Sequence, residues 1–197
     1  MPVMDRRTAL ALVQEWTASP SLVSHMLAVE AAMRAYARRF GEDEARWGLC
    51  GLLHDFDYER YPNAAQAADA EHPAEGVRHL RAMGVDDEIC VAILGHASYT
   101  GVARDSVMAK ALFAVDELCG LVMATALVRP SKSLNDVEVA SVKKKMKDKA
   151  FARGVDRTDI TQGAEALGVP LDEHIAVVLD AMRAVGPSLG LAEAPPS

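Results

Sequence analysis

Residues 107–128 read VMAKALFAVDELCGLVMATALV, and they contain the clearest structural signal in the chain. A helix built from these residues is apolar on nearly all sides, which predicts that it is buried. Asp116 lies near its middle, where an unpaired carboxylate would cost several kcal/mol or would be protonated. We therefore expect a cation beside Asp116, either a Lys or Arg side chain or a metal ion.

Helical periodicity extends over most of the remaining chain, and no segment shows sustained period-two alternation. Residues such as Pro20, Gly41 and Pro130 mark where helices start or stop. The predicted helices cover residues 5–18, 20–39, 43–54, 72–84, a segment that starts at 86, 106–128, 138–151 and 170–185. The sequence therefore predicts an all-α protein that folds as a single bundle-like domain over residues 1–197.

The composition excludes several classes of protein. Of the 197 residues, 50% are apolar and 25% are charged, which rules out a disordered or low-complexity chain. The three scattered cysteines make neither a disulfide framework nor a CxxC zinc site, and they favour a reducing, cytoplasmic compartment. The N-terminal residues lack the apolar stretch of a signal peptide. The longest apolar run, 119–128, is much shorter than the roughly 20 residues that a bilayer requires, so we expect no membrane insertion.

Charge is unevenly distributed along the chain. The net charge of −7 argues against general nucleic-acid binding. Residues 129–157, however, contain nine basic and four acidic residues, so this segment is positive and the rest of the chain is strongly negative. The run of lysines over 143–149 is compatible with a solvated helix face or with a phosphate contact, and the pattern leaves both open.

Four of the six histidines and two aspartates form an ordered set of possible metal ligands. Each has an ordinary explanation by itself: His25 and His96 lie on apolar helix faces, where most histidines are hydrogen-bonded core residues, and His72 precedes a proline at a helix start. Taken together they offer imidazole and carboxylate without thiolate, which suits one or two divalent Fe, Mn, Co, Ni or Zn ions. The set consists of His25, His54, Asp55, His72, His96 and Asp116. We interpret His79 as a surface residue, and His174 has no acidic partner in the pattern.

The order His, His-Asp, His, His, Asp along consecutive helices resembles the HD superfamily of metal-dependent phosphohydrolases, whose members are all-α. The resemblance covers about residues 21–128, which would form the metal-site core, and leaves 129–190 as a helical extension with the basic segment. The whole chain also resembles predicted bacterial HD hydrolases. One departure is Phe56-Asp57 after the His-Asp pair, where many members of the HDIG-like branch carry small residues.

The resemblance implies how the six ligands would be divided between two ions. The first ion would be held by His25, His54 and Asp116. The second ion would be held by His72 and His96, with Asp55 bridging the two.

Hydrolysis of a nucleotide or another small phosphate ester by a metal-activated water is the function that this resemblance implies. Asp57 or Glu59 could accept the proton of the water or orient the leaving group. Lys132, in the loop after the apolar helix, is the best single candidate for a contact to the substrate phosphate. Arg129 and Lys145 are two further candidates for that contact.

Two other functions stay open. Some relatives of the HD fold use an equivalent centre as a mixed-valent di-iron oxygenase of small phosphonates or polyols, and there the last aspartate tends to lie far beyond the final histidine. His96 and Asp116 are only twenty residues apart, which favours the hydrolase. A ligand-sensing module with a degraded site is the third interpretation, and the complete ligand set argues against it. The apolar first and last helices could form a homodimer face.

Overall fold

The structure is a computed structural model that describes residues 4–192. Over this range it contains ten α-helices, two short 3-10 helices and no strand, which confirms the predicted all-α class. The helices are α1 (Arg6–Trp16), α2 (Pro20–Phe40), α3 (Glu44–Leu53), α4 (Ala74–Ala82), α5 (Asp87–His96), α6 (Val107–Leu127), α7 (Val139–Lys147), α8 (Arg157–Ala166), α9 (Leu171–Ala184) and α10 (Gly186–Leu189). None of these helices combines the length and the hydropathy that a membrane crossing requires.

Most helix ends lie close to their predicted positions because local signals set them. Asp5 begins α1 by accepting the backbone N–H of Thr8 at 2.8 Å. Pro20 occupies the first turn of α2, and the helix ends at Gly41, whose φ of 72° is a left-handed conformation that glycine adopts without strain. Ser106 begins α6, the apolar helix, in the same way as Asp5 begins α1.

The C-terminal part of the chain differs from the prediction. α7 ends at Lys147 rather than at Phe151, because Asp148 accepts the N–H groups of Ala150 and Phe151 and turns the backbone away from the helix. α8 is absent from the sequence-based prediction, although Asp156 is a good N-cap for it. Its sequence, RTDITQGAEA, contains few large apolar residues, so its helical periodicity is weak.

The centre of the fold is α6, which packs against α2, α5, α8 and α9. Two glycines allow neighbouring helices to approach closely. A Cβ at Gly163 on α8 would lie 2.4 Å from Cα of Ala114 on α6. A Cβ at Gly51 on α3 would lie 2.8 Å from the carbonyl oxygen of Val29 on α2. These contacts fix α8 and α3 against two helices that carry candidate metal ligands.

A buried polar pair links α9 to α2 and α6. Nε2 of His174 donates to the carbonyl oxygen of Ala114 at 2.9 Å, so its Nδ1 accepts the hydroxyl hydrogen of Tyr36. Burial lowers the pKa of His174 to about 4, against the smaller effect of its backbone hydrogen bond. His174 is therefore a neutral, hydrogen-bonded core residue.

Candidate metal centre

The six predicted ligands come from separate parts of the chain, and the structure brings all six together. His25 lies on α2, His54 ends α3, Asp55 is in the turn that follows, His72 precedes α4, His96 ends α5 and Asp116 lies in the middle of α6. They form two groups of three, and within each group the ligand atoms lie within 4.8 Å of one another. The groups are His25, His54 and Asp116, and Asp55, His72 and His96.

In the first group two imidazoles face one carboxylate. Nε2 of His25 lies 2.9 Å from Oδ1 of Asp116, and Nε2 of His54 lies 3.4 Å from the same oxygen. Among the described residues, no Lys or Arg forms an ion pair with Asp116. The cation that the apolar surroundings of Asp116 require is therefore a protonated histidine or a metal ion.

Asp55, a member of the second group, lies where the two groups meet. Its Oδ2 is 3.3 Å from Nε2 of His54 and 3.9 Å from Nε2 of His25. Its Oδ1 is 3.3 Å from Nε2 of His72 and 3.4 Å from Nε2 of His96. One carboxylate oxygen thus faces His54 and His25, and the other faces His72 and His96.

Backbone carbonyls orient two of the imidazole rings. Nδ1 of His54 lies 2.8 Å from the carbonyl oxygen of Gly51, and Nδ1 of His96 lies 2.5 Å from that of Ile93. Because a carbonyl oxygen only accepts, both Nδ1 atoms carry the hydrogen. In the neutral rings the lone pair is then on Nε2, which faces the cluster and is available to a metal ion.

The unpartnered Nε2 of His54 and the chemistry of the donor set also indicate that the six residues fit divalent ions. Nε2 of His54 is buried and has no hydrogen-bond partner among the described residues. A buried polar atom without a partner is unfavourable, and a metal ion would provide one. Four imidazoles and two carboxylates are a donor set that divalent transition ions accept.

The acidic and imidazole groups strongly perturb one another. Burial disfavours the charged form of His54, but Asp55 and Asp116 outweigh burial and raise its pKa well above the ordinary value. Burial likewise opposes the charge on His96, and the neighbouring carboxylates of Asp55 and Asp116 raise its pKa. For Asp55 and Asp116, burial favours protonation, yet the charge of His54 and the other imidazoles lowers both pKa values. Since histidine ligands must be neutral, metal binding would release protons from this cluster.

The cluster opens into a cavity of about 550 Å³, which we call the metal cavity. Five of the six ligands line it, and His54 lies fully buried behind them. Glu117, Asp156 and Asp159 line another part, which we call the acidic wall. Burial raises the pKa of Glu117 to about 7, and Asp116 acts in the same direction. None of the described residues that line the metal cavity is a lysine or an arginine.

Asp57 does not occupy the catalytic position that we expected. It is 1% exposed and does not line the metal cavity. Its Oδ1 accepts from Nδ1 of His72 at 2.7 Å, and its Oδ2 accepts the N–H of Gly76 at 2.7 Å. Asp57 is thus a positioning residue, because it orients the ring of His72 from behind.

Glu59 also lies outside the metal cavity, which corrects its expected role as a proton acceptor. Its Oε2 accepts the backbone N–H groups of Ala18 and Ser19, each at 3.0 Å. These residues connect α1 to α2. Glu59 therefore holds the turn before the helix that carries His25, and its carboxylate is engaged there.

The three predicted phosphate contacts do not reach the metal cavity. Arg129 and Lys145 line a different cavity near α7. Lys132 is exposed in the loop after α6 and has a φ of 51°. These residues follow α6 closely in sequence, but they lie beyond the end of the helix, whereas Asp116 lies near its middle.

Several residues that line the metal cavity were not predicted from the sequence. Tyr58, Gln66 and Tyr99 line it, and the hydroxyl of Tyr99 donates to the carbonyl oxygen of His72 at 2.9 Å. The position of Tyr58, three residues after Asp55, is a signal that could have identified it. Glu117 directly follows Asp116, but nothing local identifies Asp156 and Asp159 as part of the acidic wall, because α8 reaches the metal cavity only through tertiary packing.

His79 is not a simple surface residue. Its ring lies 4.6 Å from the ring of Trp16 and 6.2 Å from that of Phe56, and it is half-buried. It belongs to neither group of candidate ligands. Its place outside the predicted ligand set therefore agrees with the structure, whereas its solvent exposure was overestimated.

Comparison with known proteins gave one positive result. A family model described as HD domain matches residues 22–161. The match includes all six candidate ligands and continues past residue 128, the predicted end of the metal-site core, into α8. No curated protein and no solved structure gives a match.

Proposed function

Because the chain belongs to the HD domain family, a superfamily of metal-dependent hydrolases, we propose that it hydrolyses small phosphate esters. The observation that carries the proposal is the position of Asp55, with one carboxylate oxygen toward each of two groups of ligands. Two ions held side by side are suited to the displacement of a phosphoryl leaving group.

Bound divalent ions supply a water of lowered pKa and neutralise charge on the phosphoryl oxygens. The side chains of the protein would hold and orient these ions. His25, His54 and Asp116 would hold one ion, and His72 and His96 the other, with Asp55 shared. Asp57 and two backbone carbonyls would keep the Nε2 atoms of His72, His54 and His96 directed at the ions.

The charge of the metal cavity restricts the substrate. With no Lys or Arg among the described lining residues, the ions would be the main source of positive charge for a phosphate. The acidic wall would repel a second phosphate and would accept hydrogen bonds from hydroxyl or amino groups. The proposed substrates are therefore monophosphates of a nucleoside, a polyol or an amino alcohol, and triphosphates would be poor substrates.

The test combines metal analysis with an assay of phosphate release. The purified 197-residue protein is analysed for bound transition metals and then incubated with phosphate esters in the presence of Mn²⁺, Co²⁺, Ni²⁺ or Mg²⁺. We expect a metal-dependent release of phosphate that Asp55→Ala abolishes while the helix content stays the same. The exposed Asp69→Ala is the matched control and should retain activity. A metal-loaded protein that hydrolyses none of the esters would refute the proposal.

The same preparation separates the hydrolase from the di-iron oxygenase. A mixed-valent di-iron centre would absorb visible light, and its turnover would consume oxygen. We expect neither visible absorption nor oxygen consumption. We also expect phosphate release to continue under anaerobic conditions.

A further inference from the structure

A second cavity, of about 530 Å³, lies between the end of α6 and α7. Its lining residues are Thr125, Val128, Arg129, Ala140, Ser141, Lys144 and Lys145. We call it the basic cavity, and it shares no lining residue with the metal cavity. From Asp116 to Thr125 the helix rises about 14 Å, at 1.5 Å per residue. A small group bound in the basic cavity would therefore not touch the candidate metal ligands.

Three positive side chains line the basic cavity without a negative partner. Arg129, Lys144 and Lys145 form no ion pair with a carboxylate among the described residues, and no acidic residue lines this cavity. The neighbouring Lys143, by contrast, pairs with Asp172 at 2.6 Å. Unpaired positive charges converging in a protein of net charge −7 create a local site of positive potential.

Two of the three cations are held in place. Arg129 donates a hydrogen bond to the hydroxyl of Ser141, and its Nε is buried without a partner. Nζ of Lys145 lies 4.1 Å from the ring centre of Phe151, which favours one position of its ammonium group. A partly desolvated guanidinium is stabilised by a nearby anion, and little side-chain ordering would be needed for the anion to bind.

We propose that the basic cavity binds a phosphate group, carried either by a small metabolite or by a lipid headgroup. The guanidinium of Arg129 matches the oxygens of a phosphate, and the two lysines add charge. Leu127 and Val128, which are 53% and 57% exposed, offer apolar contact to the organic part of the ligand. The proposal does not depend on the function of the metal cavity.

The test is a titration of the ¹⁵N-labelled 197-residue protein with inorganic pyrophosphate, followed by NMR in the presence of EDTA. We expect saturable shifts of the backbone amides of Thr125 and Ser141. Lys144→Gln should weaken binding about tenfold, because it removes one charged contact. Lys149→Gln is the matched control: it removes the same charge from an exposed residue that does not line the cavity, and binding should persist.

A second arm distinguishes the two sources of the phosphate. Vesicles of phosphatidylglycerol and of phosphatidylcholine are sedimented with the wild type, Lys144→Gln and Lys149→Gln proteins. Capture by phosphatidylglycerol alone that is lost only in Lys144→Gln would assign a lipid headgroup. Pyrophosphate binding without vesicle capture would assign a small metabolite. Failure of both probes to bind, or equal losses in the two variants, would overturn the proposal, since equal losses indicate general charge attraction.

Discussion

Asp57 accepts a 2.7 Å hydrogen bond from Nδ1 of His72, and this contact leaves Nε2 of His72 facing Asp55 at 3.3 Å. The same carboxylate accepts the N–H of Gly76, so both of its oxygens are used as acceptors. A buried acidic side chain thus orients one candidate ligand.

Asp57→Asn tests this orientation. The amide of Asn has one acceptor and one donor group, so either the N–H of Gly76 or Nδ1 of His72 would face an NH₂ group. If His72 becomes the acceptor, its hydrogen moves to Nε2, which can then no longer bind a metal. We expect Mn²⁺ affinity at this half of the centre to fall about 10- to 100-fold in calorimetric titrations. An affinity equal to that of wild type would contradict the role of Asp57.

Gly76→Ala should also disturb the hydrogen bond between Asp57 and His72, because Gly76 packs against the Asp57 carboxylate. A Cβ at this position would lie 2.5 Å from Cγ of Asp57, which is closer than real side chains approach. We expect displacement of the Asp57 carboxylate and weaker Mn²⁺ binding, measured by the same titration. Gly154→Ala is the matched control, because Gly154 lines the metal cavity but has no heavy atom within 4 Å of an added Cβ. Equal metal affinities in the two variants would contradict this account.

His79→Ala separates folding from metal binding. The variant loses the contact between the rings of His79 and Trp16 but none of the candidate ligands. We expect the free energy of unfolding in urea to fall by about 1 kcal/mol, the usual value of an aromatic pair. The metal content should equal that of the wild type. Loss of a metal ion in this variant would show that the ligand set is wrong.

His174 predicts a dependence of stability on pH. Its pKa is about 4 in the folded protein, below the value of about 6.5 for an unfolded histidine. Between these pH values the unfolded chain binds a proton that the folded chain does not, so stability falls as the pH decreases from about 6.5 to about 4. The loss contributed by His174 is roughly 3 kcal/mol, and above pH 6.5 the contribution is constant.

The comparison that isolates this contribution is wild type against His174→Gln. Both proteins share every other titrating group, so the difference between their unfolding free energies reports on His174. We expect this difference to decrease as the pH is lowered from 7 to 4 in urea denaturation experiments. A difference that stays constant over this range would contradict the neutral, buried state of His174.

The candidate ligands could be proposed from the sequence because Asp116 is unusual in its helix and because the histidines form an ordered set, although each histidine by itself has an ordinary explanation. A carboxylate at 116 in an apolar helix needs a partner, and histidines at 25 and 96 lie on faces that turn inward. The helix ends were predictable for a similar reason, since caps such as Asp5 and Gly41 act within one turn of the chain.

The roles of the surrounding charges were not predictable from local sequence. Glu59 contacts Ser19 across forty residues, and its function as a backbone acceptor depends on that tertiary contact. The acidic wall exists because α8 packs on α6 through Gly163, and α8 itself has weak periodicity. The basic residues after α6 follow the apolar helix in sequence, but the length of α6 separates them from Asp116.

The most direct measurement is anomalous diffraction from crystals of the 197-residue protein grown with Mn²⁺. We predict two manganese peaks about 3.5–4 Å apart, as in other two-metal sites. One should contact His25, His54 and Asp116, the other His72 and His96, with an Asp55 oxygen on each. An ordered cluster that contains no manganese, or manganese that does not contact Asp55, would contradict the account.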